Sequence, residues 1–215
     1  SVANTLEARS KSWAVAARNA EDGISAIQTA ESALLEIAAL AQRLRELGIQ
    51  ADNAALHQSA SDTAALNAEA TSIGTAIDQI VLKTTFNGVV MLSKADLTRA
   101  VGVTDDGGTV TLNLKKVSVA TRTAAATADG SADTTLQEVA IALGNVAAGI
   151  AALKGRQAVA YSASANLAAA AARIEDTDFA KETANLTKNS VLNQSAMAMV
   201  AQANQAQSAI LAVLQ

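Results

Sequence analysis

Four carboxylates crowd one short stretch of this chain. In "ARIEDTDFAKETANL" (172–186), Glu175, Asp176, Asp178 and Glu182 fall within about three helical turns. Paired carboxylates are the usual tools of acid–base chemistry: a glycosidase sets two of them across one pocket and raises the pKa of one by burial. Here Asp178 and Glu182 are four apart on one helical face with Lys181 nearby, and Arg173 lies three residues before Asp176, within ion-pair reach. Nothing aromatic is at hand to floor a pocket. The stretch reads as a solvated helix face.

The other chemistry-bearing residues point the same way. His57 is the single histidine and the chain has no cysteine. This excludes thiolate metal sites, disulfides and a cysteine nucleophile. A lone histidine in the polar connection "DNAALHQSASD", with no HExxH spacing, makes no metal site. Serines are plentiful, but no GxSxG elbow occurs. Gly107-Gly108 follow two aspartates and read as a turn, not a phosphate cradle. Trp13 falls on a helical seam, where core packing is its expected use. No enzyme, metal or cofactor is expected.

The elements around these residues are helical. Half the chain is hydrophobic, 2% is aromatic and there is no proline. Alanine supplies much of the apolar content; it has the best helix propensity but buries little area, so helices rich in it gain from length and close approach. Nothing interrupts a long helix. The net charge of −4 comes from interspersed acids and bases, with no cationic cluster for nucleic acid. No charge-free run of about 18 apolar residues suggests a membrane span. The opening "SVANTLEARSKSW" lacks the apolar core of a secretory signal; if the protein leaves the cell, either a route without a cleaved signal or a trimmed chain is expected.

Three apolar seams organise the chain. Residues 134–174 place Leu136, Val139, Leu143, Val146, Ile150, Leu153, Gln157, Ala160, Ser164, Leu167, Ala171 and Ile174 at alternating spacings of three and four. Residues 2–48 carry Trp13, Ala16, Ala20, Gly23, Ile27, Ala30, Leu34, Ile37, Ala41 and Leu44, a helix of roughly 70 Å. A shorter helix over 61–82 carries Leu66, Ala70, Ile73, Ile77 and Ile80. Three stripes imply a long antiparallel helical rod or bundle, mainly α, each helix burying its stripe on the others. Between the second and third helices the period changes. "VVML", "LTRAVGV" and "TVTLNL" read as short strands, and "DDGG" (105–108) as a hairpin turn, so 87–121 is a small β-hairpin region. "TRTAAATADGSA" (122–133), short of large apolar residues, reads as a loop. Residues 177–215 return to helical spacing with Leu192, Ala196, Met199, Ala203, Ala206, Ile210 and Val213. That stripe has no evident partner within the chain, which points to cover by another chain.

Several segments together carry a family likeness: "ARNAEDGISAIQTAESALLEI" (17–37), "QRLRELGIQA" (42–51), "TTFNGVVML" (84–92) and residues 172–215. They resemble bacterial flagellin, at both ends and in order. The resemblance implies a secreted filament subunit of the bacterial flagellum, with a rod domain over 1–176 and a C-terminal assembly segment over 177–215. It implies other flagellin subunits and an export chaperone as partners, with Leu192, Met199, Ala203, Ile210 and Val213 as contact candidates. It also implies departures: Ser1 already corresponds to the rod, so the family's preceding segment, which pairs with the C-terminal helix, is expected to be absent, and 122–133 stands where outer domains are inserted. Flagellins are detected by an animal innate-immune receptor of the Toll-like type. The family's contact positions map onto Arg43, an exposed Leu47 and Glu69, a surface shared with subunit contacts. The alternative reading is a flagellin-like surface protein that binds a polysaccharide or host surface; scarce aromatic rings weigh against a sugar site.

Overall fold

The computed structural model describes residues 2–53, 59–119 and 124–213, with 177, 178 and 210–213 described at the backbone only. His57 lies outside the described residues. Helix α1 runs Val2–Asp52 and α2 runs Ala60–Lys83; strands β1 (Thr85–Phe86), β2 (Val89–Val90), β3 (Leu97–Gly102) and β4 (Thr109–Leu114) follow, then α3 (Ala128–Val213). The chain divides into two compact units, one of residues 11–164 and the other of residues 1–10 with 165–215.

In the larger unit, α1 and α3 pack antiparallel, and the pairing can be read residue by residue. Ala16 and Ala17 cluster with Ala160 and Trp13. Glu21 accepts hydrogen bonds from Gln157 (2.9 Å) and Tyr161 (2.5 Å). Gly23 lies against Leu153, Ile27 against Gly149, and Gly48 against Asp129; Arg45 pairs with Asp133 at 2.8 Å. As the α1 number rises, its α3 partner's falls in step. Every seam position expected in α1 is buried or half-buried, and so is every one in α3 up to Ile174. Ile27, Leu34, Ile37, Leu44 and Leu47 are fully buried in one continuous core with Ile77, Val81 and Leu153. Alanine and glycine at the crossing points let the helix backbones approach closely, which is how a chain nearly free of aromatics fills its interior.

Helix α2 starts with a cap: the Ser59 hydroxyl accepts from the Asp62 N–H. It ends at Thr84, whose N–H and hydroxyl both return to the Ile80 carbonyl. Two hairpins follow. Asn87 (φ 48°) and Gly88 (φ 76°) form the turn between β1 and β2, the left-handed pair that a two-residue hairpin requires. The β3–β4 hairpin pairs Leu97 with Leu114 and Gly102 with Thr109. Its turn is held by the Thr104 hydroxyl, which bonds Asp106 and accepts from the Gly108 N–H, with Gly107 at φ 89°. Val101 and Leu112 reach the positions facing Gly23 and Gly149, so this hairpin lies on both long helices. Residues 115–119 are a strap without strand structure. Glu138 of α3 holds it, accepting from the Ser118 N–H (2.7 Å) and hydroxyl (3.0 Å) and pairing with Lys116 at 3.0 Å.

The structure corrects three expectations of local structure. The β region begins at Thr85, not 87, and ends at Leu114. Residues 128–133 are not loop: a 3-10 turn at Ala125–Thr127 leads into α3 at Ala128. The physical reason is the size of the side chains. Ala125, Ala128 and Ala132 are buried beside the point where Gly48 meets Asp129, so here the inward face is made of alanine and carries no seam of large apolar residues. Finally, α1 and α3 each hold an 18-residue stretch long and apolar enough to cross a membrane when up to two charges are allowed, so the expectation of no such stretch holds only for charge-free runs. Alanine scores as apolar while burying little area, and here the same composition serves helix packing.

Candidate functional site

Arg43 and Glu69, two of the positions named by family resemblance, lie in direct contact. One turn of α1 and one of α2 present them side by side. Arg43 Nε and Nη2 both donate to Glu69 Oε1, at 3.0 and 2.7 Å, and Nη1 donates to Glu46 at 3.1 Å. The hydrogen bond to Glu69, then that to Glu46, pushes the Arg43 pKa further up. The pair lies on the surface, with about half of each side chain in water, so screening keeps its contribution to stability small. What it supplies is a fixed orientation for a planar guanidinium on an exposed face.

Leu47 does not belong to that surface. It was expected to be exposed beside Arg43, but it is fully buried in the main core. It is one turn beyond Arg43 in number, yet it continues the Leu34, Ile37, Leu44 seam at the heptad spacing of three. That is why it turns inward. The large apolar residue that stands exposed near Arg43 on α1 is Ile49, at 56%.

The C-terminal stripe is open. Leu192 and Met199 are 56% and 70% exposed, and Ala203 is exposed as well; the side chains of Ile210 and Val213 lie outside the described residues. Phe179, Leu186, Val191, Met197 and Val200 are also exposed in the same helix and were not part of the expected stripe. Met197 and Met199, two residues apart, project on nearly opposite sides of an α-helix. Exposed apolar residues are thus spread around this part of α3 and not confined to one stripe. That signal was in the sequence, obscured because a single seam was sought.

Among the described residues, the carboxylates of 172–186 do not gather into a site. Glu175, Asp176 and Glu182 are exposed on α3, and the Asp178 side chain lies outside the described residues. Among the described residues no group of three or more metal-ligating side chains gathers. A cavity of about 480 Å³ opens between α1 and the hairpins, walled by Phe86, Met91, Val101 and Leu112 with Asp22 and Arg99 beside them. Arg99 donates to the carbonyls of Val90 (3.0 Å) and Thr98 (3.2 Å), while its buried Nε has no partner. The cavity brings together no nucleophile with a base.

Comparison with known proteins gives a consistent answer. Residues 1–96 match the bacterial flagellin N-terminal helical region and residues 130–214 the bacterial flagellin C-terminal helical region. A flagellin of Halalkalibacterium halodurans is 34% identical over 99% of this chain and 82% of its own length. A flagellin of Bacillus subtilis is 34% identical over 93% of this chain and 80% of its own. The flagellar filament 33 kDa core protein of Treponema phagedenis is 33% identical over 93% and 78%. A solved Bacillus cereus flagellin overlaps 70% of this chain and 88% of its own, with 25% identity and a TM-score of 0.45. With two matched regions covering most of the sequence and relatives aligned over nearly all of it, the chain belongs to the flagellin family, the structural subunits of the bacterial flagellar filament.

Proposed function

We propose that this chain is secreted and polymerises through its C-terminal segment, 177–215, by burial of apolar helix surface and without any chemical step. The observation that carries the reading is the contrast in burial along α3. Its seam is covered from Thr135 to Ala171, and beyond that Phe179, Leu186, Leu192, Met199 and Val200 stand more than half exposed. Large side chains left in water at that density are a liability unless another surface covers them. Leu192, Met199, Ala203, Ile210 and Val213 are the contact positions toward neighbouring subunits, and toward an export chaperone before assembly.

The Arg43–Glu69 pair supports a second use. An oriented, exposed arginine is a favoured anchor in protein interfaces. It serves as subunit contact in the filament and, in the free chain, as part of the surface that a Toll-like innate receptor reads. Leu47, being buried, contributes there only by holding α1 in place.

Seeded elongation tests the main reading. Filament seeds of this protein are mixed with wild-type chain or with Leu192→Asp, and growth is followed by light scattering and electron microscopy. Wild-type growth with arrest of Leu192→Asp, both folded by circular dichroism, is the expected result. Normal growth of Leu192→Asp would remove the segment from the assembly surface.

A further inference from the structure

The chain has three methionines, and the fold treats them differently. Met91 follows β2 in the larger unit, 2% exposed, its N–H bonded to the Thr84 carbonyl at 3.0 Å. Met197 and Met199 lie in the C-terminal part of α3 at 62% and 70% exposure. There is no cysteine to consume an oxidant first. A thioether in open water is available to two-electron oxidants, and one enclosed in a core is shielded.

We propose that Met197 and Met199 form an oxidant-sensitive modification site that controls burial of the C-terminal helix; this rests on the assembly role proposed above. The reagent class is a peroxide or hypohalous acid. With hydrogen peroxide, a sulfur lone pair attacks one peroxide oxygen, the O–O bond breaks and an S–O bond forms. The hydroxide released takes up the remaining proton and leaves as water. Sulfur is oxidised by two electrons and the peroxide is reduced. The product sulfoxide is polar and accepts hydrogen bonds. Placed in an apolar contact it lacks a donor and opposes burial. Because the two side chains project on nearly opposite sides of α3, a neighbouring subunit on either side meets one of them. Reduction of the sulfoxides restores the thioethers, so the block is reversible, one reductase acting on each sulfoxide epimer.

The test uses the free full chain, hydrogen peroxide and filament seeds of the same protein. Peptide mass spectrometry over time should show Met197 and Met199 converting about tenfold or more faster than Met91. Oxidised chain should then elongate seeds about tenfold more slowly, and treatment with both sulfoxide reductases should restore growth. In the double variant Met197→Leu/Met199→Leu, judged only against its own untreated rate because Met199 is itself a contact position, peroxide should leave the rate of elongation unchanged. Equal oxidation of all three methionines, undiminished growth of the oxidised chain, or loss of growth in the peroxide-treated double variant would each overturn the proposal. Failure of untreated wild type to elongate would instead overturn the assembly reading on which it rests.

Discussion

Replacing Gly48 by alanine puts the close approach of α1 and α3 to a direct test. A Cβ built on Gly48 would lie 2.4 Å from the Asp129 backbone nitrogen, 2.8 Å from its Cβ and 2.9 Å from its Cα, against an ordinary contact of 3.4 Å or more. The obstacle is largely backbone, so no rotamer change relieves it, and the two helices must part by about 1 Å at this point. Ala125, Ala128 and Ala132 are buried in the same stretch and would lose contact together. Overpacking of this kind costs about 1–3 kcal/mol. The higher helix propensity of alanine returns at most about 1 kcal/mol. Because the clash is with backbone, the cost belongs at the upper end of that range, about 2–3 kcal/mol, and the net destabilisation is about 1–2 kcal/mol, which lowers Tm by roughly 2–8 °C for a domain of this size. Gly144→Ala is the matched control. It lies in α3 with nothing within 4 Å of its would-be Cβ, so only the propensity term acts and Tm should rise by a few degrees, at about 2–4 °C per kcal/mol. Thermal unfolding followed by circular dichroism reads both. A Gly48→Ala protein as stable as wild type, or more so, would refute the argument that this glycine is required by helix contact.

Further outcomes follow from particular contacts. Leu153→Asp places a carboxylate at a fully buried position against Gly23; an unpaired buried charge costs several kcal/mol or forces its own protonation, so the larger unit should lose its cooperative unfolding transition. Burial pushes the Glu138 pKa up, but the Ser118 N–H, Lys116 and the Ser118 hydroxyl together outweigh it, and the net shift is downward. A depressed carboxylate pKa contributes stability that is present above the ordinary glutamate range and is lost as pH falls through the folded value. Glu138→Gln should therefore be less stable than wild type at neutral pH and should lose less on acidification, as measured by urea unfolding across that range. Arg43→Ala should leave thermal unfolding almost unchanged, because the pair is exposed, while slowing seeded elongation; a large fall in Tm would show that the pair is structural.

The sequence by itself determined the helices and the faces they bury. Leu34, Ile37, Leu44, Val139, Val146 and Leu153 recur at three and four, and a period that long and regular permits one inward face per helix. It also determined the hairpin turns, since Asn87-Gly88 and Gly107 supply the left-handed backbone that those turns need; family likeness named Arg43 and Glu69 separately, and their ion pair appeared only in the structure. Tertiary structure decided what depends on distance between elements. Leu47 was placed outward on the strength of its neighbour Arg43, when the seam it continues turns it into the core. Residues 128–133 looked like loop because small residues carry no seam of their own; only the packing of this turn of helix against Gly48 shows that Ala128 and Ala132 face the core. The strap at 115–119 was invisible because the carboxylate that holds it, Glu138, is about 20 residues away and charged side chains carry no periodic signal. Periodicity records which face of an element is apolar, whereas closeness of approach is a property of two backbones at once and is set only when both are in place.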